Sequence, residues 1–234
     1  MNRPTLLLLH GAIGAGDQFA PLLPLLGADF DLHSLDFEGH GSNPPRPHPF
    51  SIERFKENVL DYLERHSIEH AHVFGYSMGG YVACDLARSH PHVVQSIATL
   101  GTKFYWDPEV AEREVGMLDP RKIAAKVPHF ARMLAERHTA SDWEYVLEQT
   151  RELLRQLGLV GGLRPQDVAG IEPRVRLMLG DRDTTVTLSE TAEMYRALPR
   201  GELEVLPATP HQFERVPMPR LAYTLAQFFA QEQP

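Results

Sequence analysis

Cysteine is almost missing from this sequence: Cys84 is the only one among 234 residues. A single cysteine excludes an internal disulfide and makes a thiolate metal cluster implausible. Proteins of reducing compartments rarely contain disulfides. We therefore expect a cytoplasmic protein.

Long hydrophobic runs and blocks of like charge are missing too. No stretch reaches the roughly 18 consecutive apolar residues of a membrane-spanning helix. The run Leu6–Leu9 is too short for the apolar part of a signal peptide, and we interpret it as a buried strand. The formal net charge is -8, with acidic and basic residues scattered along the chain. We therefore expect a partner that is neither nucleic acid nor membrane.

Short apolar runs alternate with longer helical patterns along most of the chain. Strands are predicted over Thr5–Leu9, Asp31–Leu35, Ala71–Gly75, Val93–Leu100, Val175–Leu179 and Leu203–Leu206. Most of these runs are continuously apolar, which is typical of strands buried on both faces of a parallel sheet. Helices are predicted over 17–26, 51–66, 78–89, 187–198 and 218–231. The alternation predicts an open α/β sheet that binds ligands at the carboxyl ends of its strands.

The alternation stops between residues 103 and 171, where no strand is predicted. Helical patterns cover Pro108–Met117, Pro120–Leu134 and Ser141–Gly158. Prolines at or near helix starts fit this interpretation, because a proline's missing N–H costs little there. We interpret 103–171 as a small helical cap inserted between two strands of a core that comprises 1–102 and 172–234.

Aromatic and apolar side chains are common in the predicted cap. They include Phe104, Tyr105, Trp106, Phe130, Met133, Leu134 and Trp143. Most of them would pack the cap onto the core. Together they indicate an apolar pocket for a small or medium ligand.

A serine stands between glycines where the third predicted strand meets a helix without a spacer. Gly75-Tyr76-Ser77-Met78-Gly79 matches G-x-S-x-G. A tight strand–turn–helix holds a hydroxyl clear of the surface and brings its neighbours so close that only glycines fit. A chance match in a chain of this length is on the order of one in ten, so the placement carries much of the argument. The pattern makes Ser77 a candidate nucleophile.

A serine hydroxyl is a weak nucleophile unless a base takes its proton. The sequence has 12 histidines, and His211 follows the last predicted strand. Asp181 and Asp183 follow the strand before it, where a carboxylate could fix the tautomer of the histidine. These residues alone do not choose between the two carboxylates.

Several stretches together resemble the α/β-hydrolase fold family, whose serine members place the triad in the order Ser, Asp, His. The stretches similar to family motifs are LLLLHGAIGAGDQF, LDFEGHGSNPP, GYSMGG, LGDRD and HQFERVP. The resemblance covers nearly the whole chain. It implies an α/β-hydrolase fold, with a mostly parallel twisted sheet flanked by helices and the small helical cap inserted between two strands.

The resemblance also implies roles for individual residues. Ser77 would be the nucleophile, His211 the general base and then acid, and Asp183 the carboxylate that orients it. The backbone N–H groups of Met78 and Ala12 would form the oxyanion hole, with Ile13 as the alternative to Ala12. The histidine of the first motif, His10, would brace that loop rather than transfer protons.

The chemistry expected of these residues is acyl transfer. Family members that open epoxides or displace halide use aspartate at the position of Ser77. We therefore expect a serine hydrolase of the carboxylesterase type, without metal or other cofactor. Its substrate would be a small molecule with an apolar part, and the bond cleaved a carboxylic ester, a thioester or a lactone.

Two alternatives remain at this stage. One is a C–C hydrolase or elimination enzyme similar to family members of menaquinone biosynthesis, which tend to carry arginine where this chain has Tyr81. The other is a receptor for a small ligand that keeps the triad and turns over slowly.

Overall fold

The computed structural model describes residues 3–230. Its strands are β1 Thr5–Leu9, β2 Asp31–Leu35, β3 Ala71–Tyr76, β4 Val94–Leu100, β5 Arg174–Gly180 and β6 Gly201–Leu206. They form one sheet in the order β2-β1-β3-β4-β5-β6, and every neighbouring pair is parallel. All the predicted strands are present, so the carboxyl ends of β1, β3, β5 and β6 meet along one edge of the sheet.

Helices connect the strands and cover both faces of the sheet. They are α1 Leu23–Leu26, α2 Ile52–Arg65, α3 Met78–Ser89, α4 Pro108–Met117, α5 Pro120–Lys126, α6 Pro128–Arg137, α7 Trp143–Val160, α8 Pro165–Val168, α9 Leu188–Ala197 and α10 Met218–Phe229. Ser51 begins α2 by accepting the N–H of Arg54 on its hydroxyl at 3.2 Å. Position 231, the predicted last residue of the final helix, lies outside the described residues.

Two predicted helices are wrong in extent. The helix expected over 17–26 is a 3-10 turn, Gly16–Phe19, followed by the single turn of α1. The helix expected over Pro120–Leu134 is two helices that meet at Val127. Pro128 offers no N–H to the preceding turn and disfavours helical backbone at Val127, which has a φ of -136°.

Charged residues hide the true start of β6 from a search for apolar runs. The strand begins at Gly201, two residues before the predicted start. Glu202 lies opposite Arg176 of β5, and its Oε2 accepts the guanidinium Nε–H at 2.8 Å. A cross-strand ion pair therefore joins β5 and β6 at a position that a search for apolar runs does not assign to a strand.

The leucine run of β1 is buried on both faces of the sheet. Leu7 and Leu9 belong to the core on one side, and Leu6 and Leu8 belong to the core on the other. All four side chains have 0% exposure. A central parallel strand has no solvent face, which explains why this strand is continuously apolar rather than alternating.

Residues 103–171, the cap segment, contain α4 to α8 and no strand beyond an isolated bridge between Tyr105 and Gly162. Helices α4 and α7 pack closely, since a Cβ on Gly158 would lie 2.6 Å from the Cβ of Ala111. The division into a core and a cap stays a prediction. None of the helices in residues 3–230 combines the length and the apolar character that a membrane crossing needs.

Candidate active site

The turn between β3 and α3 holds Ser77 at a strained backbone. Its φ is 51° and its ψ is -116°, which a residue with a side chain rarely adopts. A Cβ on Gly75 would lie 2.4 Å from the amide nitrogen of Gly80, and one on Gly79 would lie 2.1 Å from the carbonyl oxygen of Leu9. Glycine at positions 75 and 79 is thus what allows α3 to begin directly after the strand.

Three side chains, each following a different strand, contact one another in succession at this edge of the sheet. The Oγ of Ser77 lies 3.3 Å from the Nε2 of His211. The Nδ1 of His211 lies 2.7 Å from Oδ2 of Asp183. The other oxygen of Asp183 accepts the N–H groups of Thr185 and Val186 at 2.8 and 2.9 Å. The structure therefore brings together the three side chains that the resemblance implies.

The carboxyl group of Asp183 is ionised more readily than an ordinary aspartate. Burial favours its neutral form, but the hydrogen bond from His211 and the amides of Thr185 and Val186 outweigh that effect and lower its pKa. An ionised Asp183 accepts the Nδ1–H of His211. That hydrogen bond leaves Nε2 of the ring free to accept a proton from Ser77.

Asp181 has a different position and a different partner. Its Oδ1 accepts the N–H of Thr209 at 3.2 Å, and the residue is exposed. A turn separates the two carboxylates, since the N–H of Asp183 donates to the carbonyl of Gly180 at 3.1 Å. An extended backbone would have pointed both side chains the same way. The turn directs only Asp183 to His211.

The two residues predicted to supply the oxyanion-hole amides line the same cavity as Ser77. Met78 is the first residue of α3, so its N–H has no acceptor within the helix. Ala12 lies on the loop after β1 and, like Met78, lines the same cavity as Ser77. The Nδ1 of His10 contacts the carbonyl oxygen of Gly11 at 2.7 Å, while its Nε2 accepts the N–H of Phe37 at 3.1 Å. His10 therefore braces this loop, as the resemblance implies.

Residues that carry no motif signal also hold the site together. The hydroxyl of Tyr76 donates to the carbonyl oxygen of His211 at 2.9 Å. Gly101 follows β4 with a φ of 63°, and a Cβ there would lie 3.2 Å from both Asp183 and His211. Tyr76 occupies a variable position of G-x-S-x-G, so only the structure identifies it. Gly101 could have been suspected from its place after a predicted strand.

A cavity of about 260 Å³ opens onto Ser77 and His211. From the cap segment its walls include Trp106, Met117, Leu118, Phe130, Leu153, Leu154 and Leu157. Of the cap aromatics singled out in the sequence, Trp106 and Phe130 line this cavity. Phe104 packs into the main core, Tyr105 is 56% exposed, and Trp143 packs in a small cluster within the cap segment.

Four histidines outside the triad have pKa values below the ordinary range. Burial is the largest cause in each case: it lowers the pKa of His10 well below its usual value, lowers that of His40, and lowers those of His72 and His138 to about 4. Near neutral pH these rings carry no charge in the folded protein. In the unfolded chain they would titrate near about 6.5.

We expect the protein to lose stability between pH 7 and pH 5. In this range the unfolded chain binds protons at these rings and the folded protein does not, so acid favours unfolding. With a folded pKa of about 4, His138 alone accounts for a loss of about 2 kcal/mol in the free energy of unfolding. Urea denaturation at both pH values measures the effect, and His138→Gln should reduce it. A free energy of unfolding that is equal or higher at pH 5 would contradict the prediction.

The family model described as alpha/beta hydrolase fold matches residues 4–142, which is more than half of the sequence. The chain belongs to the α/β-hydrolase fold family. The resemblance and the fold class inferred from the sequence are therefore confirmed.

Among curated relatives, the chain is similar to two proteins named pimeloyl-[acyl-carrier protein] methyl ester esterase. The one from Aromatoleum aromaticum is 40% identical over 114 residues, which is 47% of this chain and 43% of the relative. The one from Chromobacterium violaceum is 29% identical over 166 residues, which is 70% of this chain and 57% of the relative. The chain thus spans less than two thirds of the length of either relative. Both of these relatives are named as hydrolytic enzymes.

Among solved structures, the chain is similar to an enol-lactonase from Burkholderia xenovorans LB400. The TM-score is 0.81 with 20% identity, over 99% of this chain and 93% of the lactonase. At this identity the likeness concerns the fold alone. It extends through nearly the whole of both chains, including the cap segment.

Proposed function

We propose that this protein is a serine esterase that cleaves a small carboxylic ester through an acyl-enzyme. The observation that carries the proposal is the line of contacts from Ser77 to His211 at 3.3 Å and from His211 to Asp183 at 2.7 Å. This is the order of groups that activates a serine hydroxyl. The relatives named methyl ester esterases support the same reaction class.

In the proposed mechanism, the Nε2 of His211 takes the proton from Ser77 as Oγ attacks the ester carbonyl carbon. Asp183 holds the ring and stabilises its protonated form. The N–H groups of Met78 and Ala12 receive the negative charge that develops on the carbonyl oxygen. His211 then gives its proton to the leaving alcohol, and water repeats the sequence on the acyl-enzyme to release the acid and free Ser77.

The proposed substrate is a small-molecule ester with an apolar acyl group. A cavity of about 260 Å³ is slightly smaller than the usual range for ligand pockets. Its walls from α7, which include Leu153, Leu154 and Leu157, suit an acyl chain of short to medium length. Because the relatives are named methyl ester esterases, methanol is the leaving group to test first. A thioester or lactone could use the same groups.

We expect p-nitrophenyl esters of short and medium acyl chains to be turned over, and the palmitate ester to be a poor substrate. Forcing a long chain into a cavity of this size costs roughly 1–3 kcal/mol, so kcat/KM should fall by about 5- to 150-fold. A chromogenic ester series measures this fall, and methyl esters of the best acids then test the leaving group.

Fluorophosphonate labelling provides the independent check of the reaction class. The wild-type protein should be labelled at a single serine, and ester hydrolysis should be lost as the labelling proceeds. Absence of both labelling and ester turnover would rule out the esterase proposal. Tight, saturable ligand binding with very slow turnover would favour the receptor alternative instead.

A further inference from the structure

Three buried histidines contact three successive carbonyl oxygens of the loop Gly11–Gly14, here named the oxyanion loop. The Nδ1 of His10 lies 2.7 Å from the oxygen of Gly11. The Nε2 of His40 lies 2.7 Å from the oxygen of Ala12. The Nε2 of His138 lies 3.2 Å from the oxygen of Ile13. The exposure of these side chains is 2% or less.

His138 differs from the other two because it comes from the cap segment. It follows α6 directly, whereas His10 and His40 lie on loops at the carboxyl edge of the sheet. Its Nδ1 accepts the N–H of Gly41 at 3.0 Å. The ring thus joins the oxyanion loop to the turn at Gly41 and leaves its single proton on Nε2, facing Ile13.

The direction of a carbonyl determines the direction of the amide in the same peptide group. In a planar trans peptide the C=O and the following N–H point in opposite directions, and the described residues contain no cis peptide. A bond to the carbonyl of Gly11 therefore aims the N–H of Ala12. A bond to the carbonyl of Ala12 aims the N–H of Ile13 in the same way.

A bond to the carbonyl of Ile13 acts one step further along the loop. It aims the N–H of Gly14, which donates to the carbonyl oxygen of Gly11 at 3.0 Å. The peptide group of that carbonyl carries the N–H of Ala12. His138 therefore supports, through Gly14, the same peptide group that His10 holds directly.

We propose that His138 is a positioning residue that the cap segment supplies to the oxyanion loop, where it fixes the amide of Ala12 for the tetrahedral intermediate. The inference rests on the proposed esterase function and deepens it. Precise placement matters here because a donor stabilises the oxyanion only from hydrogen-bond distance. Burial holds the pKa of the His138 ring at about 4. The nearby ring of His40 and the guanidinium of Arg137 lower this pKa too, so the ring is neutral.

Two substitutions separate the two bonds of His138. Asparagine is shorter and keeps an oxygen near the position of Nδ1, so His138→Asn preserves an acceptor for Gly41 but loses the donor to Ile13. Glutamine reaches further, so His138→Gln places an amide N–H near the position of Nε2 and restores the donor to Ile13. A residue that merely anchored Gly41 would tolerate asparagine better than glutamine.

For His138→Asn we expect kcat to fall about tenfold with KM changed less than twofold, a part of the roughly 10²- to 10³-fold loss that follows removal of an oxyanion donor. His138→Gln should keep most of the wild-type kcat. The inhibition constant of a boronic acid, which forms a tetrahedral adduct with an active serine, should rise in parallel with the fall in kcat. This second measurement reports the oxyanion site in the folded, binding-competent protein.

The control is His129→Asn, the same substitution at an exposed position of α6, which should leave kcat and boronic acid affinity unchanged. Equal kcat values for wild type and His138→Asn would overturn the inference, as would greater damage from glutamine than from asparagine. An inactive wild-type protein would overturn the esterase proposal and this inference together. If the wild-type protein is active and the His138 variants have the same kcat as wild type, the inference alone fails.

Discussion

Replacing Ser77 by alanine is expected to abolish fluorophosphonate labelling and to lower kcat for a p-nitrophenyl ester by about 10⁴- to 10⁶-fold. Alanine removes the attacking oxygen and leaves the cavity, the amides of Ala12 and Met78 and the His211–Asp183 pair in place. KM should therefore change little while turnover collapses. Initial rates with the best ester of the chain-length series measure the loss.

Ser189→Ala is the matched control for this experiment. Ser189 is an exposed serine on α9 and does not line the cavity, so the same loss of a hydroxyl there should leave labelling and kcat unchanged. Labelling that survives in Ser77→Ala would mean that another serine reacts. The triad assignment would then be wrong.

The second large effect is expected from Asp183→Asn, which should lower kcat by about 10⁴-fold. The amide that replaces the carboxylate cannot stabilise a protonated His211, and its NH₂ group favours the wrong tautomer of the ring. Thr185 and Val186 still have an acceptor in the asparagine oxygen, so the loop should keep its shape. Thermal denaturation of the variant should therefore show a folded protein with little activity.

Asp181→Asn is the comparison that makes the second experiment decisive. The asparagine oxygen can still accept the N–H of Thr209, and the carboxylate that contacts His211 is that of Asp183. We expect kcat within about twofold of wild type, as is usual for a surface change away from the reacting groups. The opposite ranking of the two variants would reassign the acid.

Much of the site could be predicted because the strands of a parallel sheet have a simple sequence pattern. A strand buried on both faces is an apolar run, and the polar residue that follows it lies at the shared carboxyl edge. Ser77 and Asp183 each follow such a run, and His211 follows β6, a partly exposed strand at the edge of the sheet. The later part of β6 was recognised even though its first two residues, Gly201 and Glu202, were missed.

What the sequence did not reveal depends on contacts that have no local pattern. Without the family resemblance, the residues leave Asp183 and Asp181 open, because the choice follows from a turn that separates two side chains only two residues apart. The break at Val127 required the effect of Pro128 to outweigh a continuous helical pattern. His138 lies in the cap segment, far along the sequence from any strand end. Its contact with Ile13 joins residues 125 positions apart.

The hydrogen bond from Tyr76 to the backbone of His211 links residues 135 positions apart. During synthesis, the turn that holds Ser77 is made before His211, which follows Ser77 by 134 positions. A nascent chain that has folded β1 to β4 therefore has a nucleophile without a base. Ester hydrolysis during refolding would consequently report the docking of β5 and β6, which follow that turn in the sequence, rather than the collapse of the leucine-rich centre.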